Sequence, residues 1–184
     1  SDVVAWEPGM HKIRLESETA CAESKSDYCL GVAVSDVAFV PEGYPAALET
    51  LTIDLGGLVE LRSFQVQPST VSPGDALTVT LTWRASAPIE EDLVGFAHLI
   101  DEEGDLTAQH DAPPGGDGLP TSTWRQDLVV IQRMPLRVPE QAPRGDYTLS
   151  VGLYRWPTLD RLQVRSDVPG AERDVIELTG VGVR

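Results

Sequence analysis

The sequence contains no asparagine, only two lysines (Lys12 and Lys25) and only two cysteines (Cys21 and Cys29). Without asparagine there is no acceptor for N-glycosylation. The same absence fits a warm habitat, where asparagine is a liability, and equally a GC-biased genome. Positive charge is scarce: the formal net charge is -15 over 184 residues. Nucleic acid and an anionic membrane surface would both repel such a chain, which excludes them as partners. The acidity is compatible with a divalent cation, a neutral polymer such as a glycan, or solubility alone.

Long apolar runs are missing too. No window approaches the roughly 18–20 residues of a membrane-spanning helix, and no signal-peptide core opens the chain, so no direct membrane insertion is expected. The chain starts at Ser1 within β-type sequence, which we read as an excised part of a longer protein. Helical periodicity is almost absent, leaving strands to build any core. No second cysteine or histidine pair stands at ligand spacing, which argues against zinc. A disulfide between Cys21 and Cys29, closing a short acidic loop and implying an oxidising compartment, and two free thiols are both open.

What is present is alternation. Ser72 to Ala85 reads Ser-Pro-Gly-Asp-Ala-Leu-Thr-Val-Thr-Leu-Thr-Trp-Arg-Ala. Leu77, Val79, Leu81 and Trp83 alternate with Thr78, Thr80, Thr82 and Arg84, the period of a strand with one buried face. Before it, weaker strand patterns cover Gly9 to Glu16, Leu30 to Val40 with a register change near Ser35-Asp36, and Leu48 to Leu55. Pro41-Glu42-Gly43-Tyr44-Pro45 interrupts them as an internal boundary. These strands are too few for a core of their own. They form either the tail of a preceding unit or a layer docked on the later strands, so the expected domains are a short β unit over 1–57 and a sandwich over 58–184.

From Leu58 strand signals become regular: Val59 to Val66, Leu93 to Ile100, Leu106 to His110, Leu128 to Val138, Gly145 to Arg155, Leu162 to Val164 and Val175 to Val183. Leu93 to Ile100 is apolar on both faces, the mark of a central strand. Pro135 places its strand at an edge or bulge, and a protected edge favours a monomer. Gly145-Asp146-Tyr147 after Pro143 matches the tyrosine corner of immunoglobulin-like sandwiches. With no helical crossovers, the fold class is all-β: an immunoglobulin-like antiparallel β-sandwich preceded by a short β unit.

The order of Pro73-Gly74-Asp75, Leu81-Thr82-Trp83-Arg84-Ala85, Phe96-Ala97-His98-Leu99-Ile100-Asp101, Asp111 with Pro114 and Gly116, Pro120-Thr121-Ser122 with Trp124, Gly145-Asp146-Tyr147, Val151-Gly152-Leu153-Tyr154 and Arg161-Leu162 resembles a known module. That module is the extracytoplasmic C-terminal β-sandwich of large bacterial membrane proteins of the mannosyltransferase-like kind. Leu30-Gly31-Val32-Ala33-Val34 is similar to the last strand of the jelly-roll-like unit that precedes it. The resemblance implies a bacterial, cell-surface or membrane-attached accessory domain of a larger parent chain, with no catalytic residues to carry over.

Four residues stand out as ligand-binding candidates: His98, Asp111, Thr121 and Trp124. His98 and Asp111 form either an oriented imidazole of a hydrolase or transferase, or a core histidine satisfied by a carboxylate. The acidic turn, with Asp101 and Asp105 flanking Glu102 and Glu103 and with Asp111 and Asp117 nearby, offers oxygen ligands for Ca²⁺ but lacks the spacing of an EF-hand; the plainer alternative is a solvated hairpin tip. Trp124, Trp156 and Tyr154 lie nearest the loops, where aromatic planes would stack on sugar rings, unless they serve as anchors of those loops. The expected function is a non-catalytic accessory module acting as spacer, protein-interaction or glycan-contacting domain.

Overall fold

The computed structural model describes residues 51–184. The strands expected before Leu51, the Pro41 to Pro45 break and the Cys21–Cys29 pair lie outside the described residues. The chain divides into two compact units, Ser1–Ala46 and Ala47–Arg184.

Two sheets face each other. One holds, in spatial order, β1 (Ile53–Leu55), β2 (Val59–Gln67), β4 (Ala76–Ala85) and β7 (Val129–Arg137); the other holds β3 (Thr70–Val71), β9 (Ile176–Val183), β8 (Gly145–Arg155), β5 (Leu93–Ile100) and β6 (Leu106–Ala112). All pairings among these strands are antiparallel except β3 with β9. The architecture is an immunoglobulin-like antiparallel β-sandwich.

Alternation explains the layers. Leu77, Val79, Leu81 and Trp83 of β4 are buried, and Thr78, Thr80, Thr82 and Arg84 are partly exposed, so this strand adopts its expected register. Facing it from β8, Tyr147, Leu149, Val151 and Leu153 close the core. The Tyr147 hydroxyl donates to the Pro143 carbonyl at 2.7 Å, forming the expected tyrosine corner. Pro135 sits in β7, at the sheet edge where its missing N–H costs no ladder bond.

β1 is joined to β2 by a turn in which Gly56 and Gly57 have φ of +67° and +73°. The Asp54 carboxylate accepts the Gly57 amide at 2.8 Å and fixes that turn. The run ending at Leu55 thus docks on the sandwich, one of its two open placements. β2 shifts register between Leu61 and Ser63, which turns Phe64 and Val66 toward the core. Leu162 and Val164 are buried without forming a full strand; Val164 pairs with Leu55 and Arg161 with Tyr154 as single bridges.

β5 is central, between β8 and β6. Leu93, Ala97 and Leu99 point into the core, whereas Val94, Phe96, His98 and Ile100 lie on the outward face. Phe96 alone among these four is fully covered. The strand is covered on both sides only at that point.

Candidate functional site

The outward face of β5 carries the first group. His98 Nε2 lies 3.2 Å from Asp111 Oδ1, on the paired strand β6. The imidazole side chain is 19% exposed and the carboxylate 31%. The pair therefore forms as the sequence implies, but His98 is not a core histidine. Its even-numbered position places it with Phe96 on the outer surface, opposite the core-facing Ala97 and Leu99.

Asp111 has a second partner. Burial raises the Tyr154 hydroxyl above its usual pKa, and the Asp111 charge and a hydrogen bond to that carboxylate add to the shift. Between these groups lies the Phe96 ring, with the His98 ring 4.8 Å away and Tyr154 stacked at 6.3 Å. The Arg161 guanidinium stands over the ring, 5.1 Å from its centroid. Gly152 makes room for it: a Cβ there would come within 2.6 Å of Phe96 Cζ. Arg161 was not among the sequence candidates, because its place depends on the chain returning from Trp156 to pair beside Tyr154.

Ser150 is the cross-strand neighbour of His98 on β8. It is buried and forms no hydrogen bond with the imidazole among the described residues. Ser150 and His98 thus do not make the nucleophile–base contact of acyl-transfer chemistry.

The second group is a cavity of about 270 Å³ at the end of the same face, lined by Asp92, Val94, Pro113, Asp117, Thr121 and Trp156 among others. Trp156 follows β8 and is 64% exposed. Its turn also presents Leu159, which is 59% exposed and has φ of +65°, a left-handed conformation uncommon for leucine. The Leu159 amide donates to the Arg155 carbonyl at 2.8 Å, and the Arg155 amide to the Asp160 carbonyl at 2.9 Å; both hold the turn. The Arg155 Nε–H is also shared between the two Glu91 carboxylate oxygens, at 3.0 and 2.9 Å, tying this turn to the start of β5.

Two of the ligand-binding candidates are engaged by the fold's own groups. Trp124 is only 2% exposed, and its indole N–H donates to the Leu119 carbonyl at 3.1 Å. It anchors the long loop internally. The Thr121 hydroxyl is buried, accepting from the Leu93 amide at 2.7 Å and donating to the Glu91 carbonyl at 2.8 Å. That residue shapes the cavity wall, with its polar group already engaged.

The acidic turn does not assemble a cation site. Asp101 Oδ1 accepts the Asp105 amide at 2.7 Å, and Glu102 Oε1 accepts the Asp146 amide at 3.2 Å. Among the described residues no three His, Cys, Asp or Glu side chains gather to hold a metal. The turn is a hairpin tip whose carboxylates cap backbone amides, and the expected Ca²⁺ site at Asp101 and Asp105 lacks its ligand set.

No known family profile matches the chain, and no curated protein is similar to it at a significant level. Among solved structures it is similar to a Niemann-Pick type C2 protein from the Japanese carpenter ant (8% identity, 73% of this chain and 100% of that one, TM-score 0.45). It is also similar to the C-terminal domain of wzt (12% identity, 71% and 72%, TM-score 0.39) and to chicken MD-1 complexed with lipid IVa (14% identity, 67% and 90%, TM-score 0.36). All three likenesses are weak.

Proposed function

We propose that the sandwich is a non-catalytic, extracytoplasmic accessory module that contacts a neutral glycan through the cavity beside Trp156, as part of a larger membrane-associated protein. The observation that carries this reading is the indole: at 64% exposure it lies open beside a concave site lined by two carboxylates, Asp92 and Asp117. An aromatic plane covers the C–H face of a sugar ring while oxygen acceptors orient its hydroxyls, and a mostly apolar cleft with a few polar groups suits that division. The net charge of -15 disfavours an acidic polysaccharide.

A glycan array followed by titration calorimetry tests it. Trp156→Ala should weaken binding at least about tenfold, close to 1.4 kcal/mol, with the melting temperature unchanged because the side chain is exposed. An array without binding, or a variant that binds like the parent, overturns the reading. The second reading, a hydrolase or transferase, rests on the His98–Asp111 contact at 3.2 Å. It requires turnover of a glycoside or ester that His98→Gln abolishes.

A further inference from the structure

We infer that the glycan site continues from the Trp156 cavity along the outward face of the five-stranded sheet, with Asp111 as the acceptor for a further sugar, so that the ligand is a chain of several residues. This rests on the Trp156 cavity being a glycan site. Val94 lines the cavity and shares the outward face of β5 with Phe96 and His98. Four strand residues span about 13 Å, longer than one sugar ring, and the whole of that run carries groups that the core does not use.

Phe96 supports this stretch from beneath without reaching the surface, being 1% exposed. It is buried on the outward face, lying over Gly152 and roofed by the exposed Arg161. Asp111 is its direct cross-strand neighbour on β6. His98 at 3.2 Å orients that carboxylate, which keeps 31% of its surface open. A carboxylate has about four lone-pair sites, so acceptor capacity is left for sugar hydroxyls. Arg161 gives one N–H to the Arg173 carbonyl at 3.2 Å and has further donors on its exposed guanidinium. Exposed donor and oriented acceptor thus follow the cavity along this face, with the buried Phe96 ring beneath them.

The test is calorimetry with manno-, gluco- and galacto-oligosaccharides of one to six residues, on the full chain and on Trp156→Ala, Asp111→Asn and Arg161→Gln, each checked for an unchanged melting temperature. For the series that binds, affinity should rise at least tenfold from one sugar to four. Asp111→Asn and Arg161→Gln should remove that increment and leave the single-sugar affinity unchanged, while Trp156→Ala weakens every length. Length-independent affinity, or an increment that survives both variants, overturns the extension and leaves the Trp156 reading standing. Absence of binding by any series overturns both.

Discussion

A buried glutamine joins the two sheets at the scale of single residues. Gln132, on the inward face of β7, accepts the Trp83 indole N–H at 2.9 Å and donates to the Ala112 carbonyl of the opposite sheet at 2.9 Å. Both ends of its amide are satisfied inside the core, where an unpaired polar group would cost about 1–3 kcal/mol. Gly95 exists to admit it: a Cβ there would collide with Gln132 Oε1 and stand 2.8 Å from Nε2. We expect Gly95→Ala and Gln132→Ala each to destabilise by about 1–3 kcal/mol. The double variant should lose less than the sum, with coupling of about 0.5–3 kcal/mol. Urea unfolding of the three variants and the parent measures this, and strict additivity would show that the two residues do not share a space. Alternation with Val130, Met134 and Leu136 puts Gln132 on the inward face, but its two partners were not legible in the sequence, because they come from a neighbouring strand and from the opposite sheet.

Element pairing is held on the outside by charge as well as by ladder bonds. Glu60 of β2 lies directly opposite Arg84 of β4 and accepts from it at 3.1 Å and from Arg62 at 3.0 Å; Arg84 also pairs with Asp127. Burial alone would raise the Glu60 carboxyl, but the hydrogen bonds and charges of Arg84 and Arg62 outweigh it and hold the group below the usual carboxylate range. On acidification the unfolded chain takes up this proton first, so the stabilisation is present above the ordinary carboxylate pKa and is lost as pH falls toward the folded value. Glu60→Gln should therefore flatten the loss of stability between about pH 5 and 3, measured as urea midpoints against pH; parallel profiles would refute the coupling. Strands β4, β5 and β8 were readable because period-two alternation is a local signal. The two-residue β3 was not, since it is defined only by backbone bonds to β9. The His98–Asp111 contact was readable because the two residues straddle one hairpin, whereas the opposite fates of Trp124 and Trp156 depend on which loop the fold covers.

For the whole molecule, the core cluster runs from Ile53 through Trp83, Tyr147 and Leu162 to Val183, drawing on both sheets. Residues that supply one continuous core should fold without help from elsewhere. Ala47–Arg184 expressed alone is expected to give a β-type circular dichroism spectrum and one cooperative thermal transition; a broad, non-cooperative melt would show that the first 46 residues are needed. The one parallel pairing among the described strands has a mechanical consequence. β3 comes after β2 but lies in the other sheet, bound to β9 by the Gly182 amide on the Ser69 carbonyl at 3.0 Å and the Arg184 amide on the Val71 carbonyl at 2.9 Å. Tension applied from the two sides of this pair draws the parallel segments past each other, so both bonds resist together in shear. The antiparallel β1–β2 hairpin, by contrast, opens rung by rung like a zipper. A module tethered at both ends would thus yield first at β1 and keep its five-stranded sheet intact under pull.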